Sequence, residues 1–211
     1  MRNATRLIGI AALVAASVSC GDVVRQGSSP VFLVIDLLQG IRGGAQAGTP
    51  SNPLISDVIT NITTPDPCTI AAPCPTVFGD KATVNLRAPL KDPGVLGAAL
   101  SPTTNNEVTI NRIHVAYSRA DGRNTPGIDI PYAFDTAITG TVPAGGSLTL
   151  AFELVRNVAK QEAPLVQLKT SSNIMSVIAT VTFYGVDRVG NAIQVTGQIQ
   201  IEFGNFADIA G

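Results

Sequence analysis

The stretch that decides the fold runs from Ser176 to Phe203 and reads SVIATVTFYGVDRVGNAIQVTGQIQIEF. In its second half, apolar residues or glycine occupy every other position from Ile193 to Phe203, with Gln, Thr and Glu between them. A two-residue period places these two sets on opposite faces of a β-strand. The first half alternates in the same way. Between the halves, Gly190 and Asn191 tolerate the positive φ of a tight turn, so the stretch is predicted to form a β-hairpin.

Other short runs repeat this period, and turn-forming residues separate them. Strands are predicted over residues 81–89, 107–119, 132–142 and 147–155. Within the second of these, the apolar parity changes after Ile110, which predicts a β-bulge near Asn111 or Arg112. The apolar run 31–38 is predicted to be a buried strand, with a short helix as the alternative, and 54–62 is the next predicted strand. The proline-rich segment from Thr63 to Pro75 is expected outside the sheets.

The predicted fold class is all-β, an immunoglobulin-like antiparallel β-sandwich of seven to nine strands. Because a single sheet cannot bury every apolar face, two sheets are expected to pack face to face. The run Asp187-Arg188-Val189-Gly190-Asn191 resembles the D-x-x-G-N hairpin of bacterial immunoglobulin-like domains, and this resemblance implies the same architecture. The Cys-Trp-Cys signature of the immunoglobulin family is absent, since the chain contains no Trp.

The N-terminus has the features of an export leader. Arg2 and Arg6 supply positive charge, and residues 7–16 (LIGIAALVAA) form an apolar run too short to span a bilayer. The following Ser17-Val18-Ser19-Cys20 resembles the bacterial lipobox, which implies that Cys20 is acylated and becomes the mature N-terminus. An ordinary secretory leader is the alternative. The predicted organisation is a removed lipoprotein signal peptide (1–19), an acylated cysteine with a flexible tether (20–30) and a single β-sandwich domain (31–211).

Composition restricts the partners. The chain has 14 basic and 15 acidic residues, and removal of the leader takes away two arginines, which changes the net charge from −1 to about −3. A mildly acidic surface cannot neutralise a run of phosphates, so nucleic acid is not an expected partner. With no polybasic segment for anionic lipid, the acyl chains are expected to supply the membrane attachment. The expected location is the bacterial cell envelope, with the outer membrane or cell surface favoured over the inner membrane.

Two cysteines remain after Cys20, at the ends of Cys68-Thr69-Ile70-Ala71-Ala72-Pro73-Cys74. An even pair in an exported chain predicts a disulfide between Cys68 and Cys74. Metal binding and free thiols are the alternatives. Two thiolates and one distant histidine cannot complete a tetrahedral zinc site.

The sequence predicts no catalytic residue, metal or cofactor, and therefore no enzyme. His114 is the only histidine, so any Ser–His–Asp arrangement must use it, yet it lies on the polar parity of its strand. Asp121, Asp129 and Asp135 offer oxygens for Ca²⁺, but their spacing matches no calcium loop, so solvated turn acids are expected.

The best candidate contact surface is the loop that holds Arg119, Asp121, Arg123 and Asn124, with a solvated hairpin tip as the alternative. The preferred function is a non-catalytic envelope lipoprotein that binds or scaffolds other envelope or surface proteins. The alternative is a small-ligand or carbohydrate-binding module accessory to an envelope enzyme. Sugar sites need exposed aromatic rings, whereas the three tyrosines are predicted to pack on strands with their hydroxyls outward: Tyr117, Tyr132 and Tyr184.

Overall fold

The computed structural model describes residues 28–44, 48–96 and 98–206. The predictions for the signal peptide, Cys20 and most of the tether lie outside these residues. The elements found, in chain order, are β1 (Val34–Ile41), β2 (Leu54–Asp57), β3 (Thr60–Ile62), β4 (Cys74–Thr76), β5 (Asp80–Arg87), β6 (Gly94–Val95), β7 (Ala98–Ala99), the 3₁₀ helix η1 (Thr104–Asn106), β8 (Val108–Ser118), β9 (Phe134–Val142), β10 (Ser147–Val155), the 3₁₀ helices η2 (Val158–Gln161) and η3 (Leu165–Thr170), β11 (Met175–Asp187) and β12 (Ala192–Gly204).

Two larger sheets contain eight of these strands. One has the order β2-β12-β11-β8-β9 and the other, which is curled, has the order β1-β5-β10. All pairings in them are antiparallel except that of β2 with β12, which is parallel. The pairs β3–β4 and β6–β7 form two small sheets of their own. The all-β prediction is confirmed, and η1, η2 and η3 are short 3₁₀ turns.

The hairpin predicted from Ser176 to Phe203 is confirmed as β11 and β12, which pair from Met175↔Phe203 to Val186↔Ala192. At its turn, Gly190 has a φ of +93°, a conformation that favours glycine. The Asp187 carboxylate closes the turn by accepting hydrogen bonds from the backbone N–H groups of Val189 at 3.0 Å and Asn191 at 2.8 Å. Burial opposes its ionisation, but these bonds and the Asn191 side chain outweigh it and hold the pKa of Asp187 below its usual value.

The predicted bulge in the long strand is also confirmed. The pairing of β8 with β9 shifts between Ile110 and Arg112, and its pairing with β11 shifts at the same place. Because the bulge adds one residue to the strand, the apolar side chains after it, which have the opposite parity in the sequence, also point into the core. As a result, Ile110 and Ile113, which have opposite parity in the sequence, are both buried.

The buried faces of the two larger sheets meet in one hydrophobic core. Phe152 of the curled sheet contacts Phe183 of the five-stranded sheet edge to face, with ring centroids 5.4 Å apart and an interplanar angle of 87°. Elsewhere between the two sheets, Gly197 of β12 leaves room for Ile35 of β1, because a Cβ atom at position 197 would lie 2.7 Å from the Ile35 Cδ1 atom. The two sheets therefore depend on each other for burial of their apolar side chains.

Two local predictions need adjustment. The run 31–38 contains a strand and not a helix, but β1 spans Val34–Ile41, and the prediction that it is buried is wrong, because it is an edge strand in which Leu37 is 52% exposed. The segment from Thr63 to Pro75 lies outside the two larger sheets, but Pro75 sits within β4 and pairs opposite Asn61. Proline is tolerated there because a two-stranded ribbon has free edges that need no donor.

The prediction for Tyr117 is wrong, because its hydroxyl points inward. Tyr117 is buried, and its hydroxyl donates a 2.6 Å hydrogen bond to the backbone oxygen of Leu154 in β10. The bulge in β8 turns this side chain towards the opposite sheet, and a buried hydroxyl needs an internal partner. Burial raises the pKa of the Tyr117 hydroxyl well above its usual value.

We expect Tyr117→Phe to lower the free energy of unfolding near neutral pH by about 1–3 kcal/mol, because the Leu154 carbonyl loses its donor. In the native protein, the raised pKa means that Tyr117 keeps its proton at a pH where the unfolded chain, with a tyrosine pKa of about 10, releases it. The contribution of Tyr117 to the free energy of unfolding is therefore fully present below about pH 10 and decreases above it.

Urea unfolding at about pH 8 and about pH 11 checks both effects, since the Phe variant should lose less stability between the two. Tyr132→Phe is the matched control. Because Tyr132 is exposed, this substitution should change neither the stability at about pH 8 nor the loss of stability between about pH 8 and about pH 11. An equal alkaline loss in the native protein and in Tyr117→Phe would contradict the assignment.

Candidate functional site

The predicted contact residues come together in the connection between β8 and β9, where the Asp121 carboxylate lies between two guanidinium groups. Arg119 Nη2 donates to Asp121 Oδ2 at 2.7 Å, and Arg119 Nε donates to Oδ1 at 3.1 Å. Arg123 Nη2 and Nε both donate to Asp121 Oδ2, at 2.9 and 3.0 Å. These bonds, from Arg119 first and then from Arg123, hold the pKa of Asp121 far below its usual range.

The backbone of this contact loop (residues 119–124) is fixed as well. The Asn124 Oδ1 atom accepts a 2.6 Å hydrogen bond from the backbone N–H of Arg119 and so closes the loop. Gly122 has a φ of +81°, and a Cβ there would meet no atom within 4 Å, so glycine serves the backbone conformation and not close packing. With two guanidiniums and one carboxylate, the loop presents an ordered, exposed group with one net positive charge.

The aspartates considered for calcium have separate partners. Asp121 is held by the two arginines, Asp129 Oδ2 accepts a hydrogen bond from the backbone N–H of Thr125 at 3.2 Å, and Asp135 lies on β9. In the described part of the chain, no group of three His, Cys, Asp or Glu side chains is placed to hold a metal ion.

His114 lies on the outer face of the five-stranded sheet. Its Nδ1 atom is 3.2 Å from Asp135 Oδ2, and Arg112 Nη1 donates to Asp135 Oδ1 at 3.0 Å. The guanidinium of Arg112 also stacks on the Tyr184 ring, 3.8 Å from the ring centroid. These side chains form a surface cluster on the outer face of the sheet. Catalysis by an imidazole also requires a nucleophile or a concave pocket beside it, whereas the described hydrogen-bond partner of His114 is Asp135.

A buried ion network occupies the end of the sheets where β2 and β12 finish. It consists of five polar side chains: Arg42, Ser56, Asp57, Asp80 and Lys160. Lys160 Nζ lies 2.8 Å from Asp80 Oδ2 and donates to the backbone oxygen of Asp57 at 2.7 Å. Ser56 Oγ donates to the same Asp80 oxygen at 2.5 Å, and Arg42 Nη2 lies 2.5 Å from Asp57 Oδ2. Two cations therefore balance two carboxylates.

Backbone donors complete the network and connect several elements through it. Asp80 Oδ1 accepts a 2.8 Å hydrogen bond from the N–H of Gly43, just beyond β1. Asp57 Oδ1 accepts a 3.3 Å hydrogen bond from the N–H of Phe206, just beyond β12. Because Asp80 begins β5 and Lys160 belongs to η2, the network joins both larger sheets to the connection between β10 and β11.

Serine and lysine together can form a nucleophile and its base, but the network does not present them to a substrate. Ser56 and Lys160 are fully buried, and the Ser56 hydroxyl proton is engaged by Asp80. Burial lowers the pKa of Lys160, whereas the neighbouring Asp80 carboxylate opposes that change by stabilising the cation. The geometry fits a structural role for this network.

No protein family, curated protein or solved structure matches this chain.

The predicted disulfide is present. The Sγ atoms of Cys68 and Cys74 are bonded, so the two thiolates are not available as metal ligands. The bridge closes the exposed loop before β4, at the same end of the sheets as the buried ion network. No helix in the described residues has the length and apolar character required to cross a bilayer.

At the opposite end of the sheets lies an open cleft of about 300 Å³. Prolines, leucines and a glycine turn form most of its lining: Pro89, Leu90, Pro93, Leu100, Pro102 and residues 145–146. Arg87 contributes the charged group of the lining, and its Nη2 atom donates to Asp36 Oδ1 at 2.6 Å. The cleft is thus apolar, with a cation that already has a carboxylate partner.

Sequence reasoning identified the contact loop but missed the buried ion network and the cleft. The sequence signal for the network is a charged residue within an apolar run. Asp57 occurs in Ile55-Ser56-Asp57-Val58, and Lys160 follows Val158-Ala159. Their pairing joins residues 103 positions apart, so no local spacing reveals it.

Proposed function

We propose that this chain is a non-catalytic lipoprotein of the bacterial cell envelope that binds or scaffolds other envelope or surface proteins through its loops. The observation that carries this proposal is the contact loop. Its two arginines, Arg123 exposed and Arg119 half-buried, are both positioned by Asp121, on a closed backbone between two long strands of the five-stranded sheet. The loop keeps one net positive charge after Asp121 has paired with both arginines, and preorganised side chains lose little conformational entropy on binding, so a carboxylate on a partner is favoured.

The envelope location rests on the leader and on Cys20, whose sequence context resembles a lipobox. Acyl chains on Cys20 would attach the chain to a membrane without the need for a membrane-spanning helix in the folded body. The non-catalytic part of the proposal is supported by the positions of the reactive side-chain types. Ser56 and Lys160 are buried in a charge-balanced network, and the single imidazole lies on the outer face of a sheet.

We place the fold in the immunoglobulin-like class as part of the same proposal. Antiparallel pairing, facing sheets and the turn from Asp187 to Asn191 support this assignment. The curled three-stranded sheet and the parallel edge strand β2 are departures that a variant of the class must accommodate.

The apolar cleft favours a second candidate, a module that binds a small ligand. Its volume of about 300 Å³ is at the lower end of the range for ligand pockets. Carbohydrate is the less suitable class of ligand for it, because the lining contains proline and leucine and no aromatic ring on which a sugar could stack.

Cross-linking in intact cells tests the proposed function. We expect the native chain to cross-link to a protein partner, and Arg123→Ser to lower the yield by about tenfold or more, because truncation of a central interface arginine typically costs 2 kcal/mol or more. Arg112→Ser is the matched control. Arg112 is also exposed and paired with an aspartate, with 50% of its side chain accessible against 64% for Arg123, but it lies on the sheet face.

Cys20→Ser completes the experiment, because it should move the chain from the membrane fraction to the soluble fraction. Equal cross-linking of Arg123→Ser and the native chain would argue against recognition by the contact loop. Membrane retention of Cys20→Ser would argue against the lipid anchor. Stabilisation by a small molecule in a thermal-shift screen, with no protein partner captured, would support the second candidate.

A further inference from the structure

The first described residues are held at one end of the sheets, which we call the tether end. It comprises residues 29–32, the segments 89–96 and 98–103, and the turns 143–146 and 187–191. Lys91 N donates to the Pro30 oxygen at 2.9 Å, and Phe32 N donates to the Pro89 oxygen at 2.9 Å. The Ser29 side chain lies beside Asp187, at the end of β11 in the five-stranded sheet. The chain that precedes Ser28 therefore has to start from this end.

The tether end carries exposed apolar side chains on a short hairpin made by β6 and β7. Leu96 is fully exposed at its tip, Val95 is 72% exposed, and Leu100 at its base is 57% exposed. The hairpin is closed by a 2.9 Å hydrogen bond from Leu100 N to the Pro93 oxygen, and Gly94 turns the chain with a φ of +82°. Exposed aliphatic side chains gathered on one hairpin are suited to contact with an apolar partner.

Chain length identifies that partner as a lipid surface. Seven residues separate Cys20 from Ser28, and the eight steps from one to the other extend at most roughly 28 Å even when fully stretched. A bilayer that held an acylated Cys20 would thus lie within about that distance of the tether end, and the β6–β7 hairpin projects from the same end.

Charges at the tether end point to apolar contact and not to attraction by anionic headgroups. Arg87 is paired with Asp36, and Arg188 is paired with Glu107 at 2.5 Å. The Lys91 ammonium lies over the Phe32 ring, 5.6 Å from its centroid. With these cations already engaged, the attraction for anionic lipid is weak. A lysine beside an aromatic ring is nonetheless a suitable combination for the boundary between lipid and water.

We propose that the β6–β7 hairpin is a second membrane contact, whose Val95 and Leu96 side chains enter the interfacial layer of the bilayer that holds Cys20. This inference rests on the proposed lipid anchor. The acyl chains keep the protein at the membrane, and the hairpin fixes which end of the body faces the lipid.

The chain contains no Trp, so one introduced tryptophan reports its own surroundings. The test uses the full, acylated chain with Leu96→Trp, placed in vesicles of phosphatidylethanolamine and phosphatidylglycerol whose acyl chains carry bromine as a quencher. The matched control is Ile70→Trp. Ile70 is a similarly exposed aliphatic residue, 90% accessible, in the disulfide loop at the opposite end.

We expect the bromolipid to reduce the L96W emission by roughly twofold or more and to leave I70W nearly unchanged. Replacing phosphatidylglycerol by phosphatidylcholine should preserve the L96W quenching, because the contact is apolar. Vesicle flotation is measured on the same samples and reports the anchor alone.

The outcomes separate the two proposals. If the chain floats with the vesicles but L96W is quenched no more than I70W, the hairpin contact is overturned and the anchor stands. The same holds if both reporters are quenched equally, or if quenching requires the anionic lipid. If the chain does not float, the anchor is overturned and the hairpin contact with it.

Discussion

Lys160→Met is expected to lower the free energy of unfolding by roughly 3–5 kcal/mol, because removal of one partner from a buried ion pair leaves the other charge uncompensated. Lys160 Nζ is bonded to Asp80 Oδ2 at 2.8 Å and to the backbone oxygen of Asp57 at 2.7 Å, and water does not reach either bond. Methionine keeps the length and most of the volume of lysine, so the loss reports charge and hydrogen bonding. Guanidinium chloride unfolding provides the measurement.

A second substitution makes this result specific to the network. In Lys160→Met/Asp80→Asn, the unpaired carboxylate is removed, while the Ser56 hydroxyl still has an amide oxygen to which it can donate. We expect this double variant to recover about 1–2 kcal/mol relative to Lys160→Met, which a double-mutant cycle will show as coupling.

Lys81→Met is the matched control for this prediction. Its lysine follows Asp80 directly in the sequence but is exposed, so its effect should stay within about 0.5 kcal/mol. A loss of less than about 1 kcal/mol in Lys160→Met would mean that solvent compensates Asp80, contrary to the packing described.

Phe183→Ala is expected to lower the free energy of unfolding by about 3–5 kcal/mol. Phe183 is fully buried in the centre of β11, and its ring meets Phe152 of the opposite sheet at 5.4 Å. The substitution removes most of a large side chain from the interface between the two sheets and leaves a cavity there. Denaturant unfolding measures the loss.

Tyr184→Ala is the control for this second prediction, because Tyr184 is the next residue of the strand and lies on the other face. It loses the stacking of Arg112, which is worth about 1 kcal/mol or less at an exposed site. A double-mutant cycle with Phe152→Ala should give a coupling of about 0.5–1.5 kcal/mol for the edge-to-face pair. Similar losses for Phe183→Ala and Tyr184→Ala would contradict the burial of Phe183 between two sheets.

Much of the fold could be predicted because the information is local. Alternation along β11 and β12 determines which side chains are buried, and a change of parity between Ile110 and Ile113 already reveals the bulge in β8. The disulfide was accessible for the same reason, since its two cysteines are separated by a sequence distance of 6. Local patterns define strands, turns and short loops.

Non-local relations could not be read in this way. The parallel pairing of β2 with β12 places Leu54 opposite Ile201, and the sequence of neither strand indicates which strand it pairs with. The inward direction of Tyr117 depends on an acceptor at Leu154, in a different sheet. Within the contact loop, by contrast, the residues that meet are at most five positions apart, and composition was sufficient to single them out.

The direction of the strands has a consequence for how far recognition takes place from the anchor. The contact loop follows β8 and so lies at the opposite end of the sheets from Ser29 and the β6–β7 hairpin. The strand β8, with 11 residues, leads from the tether end to this loop and measures roughly 36 Å at the usual rise per residue. If the tether end rests on lipid, the arginines stand at about this height, beyond the headgroups and short surface chains. Partners with tall ectodomains would then be selected over those that lie flat on the membrane.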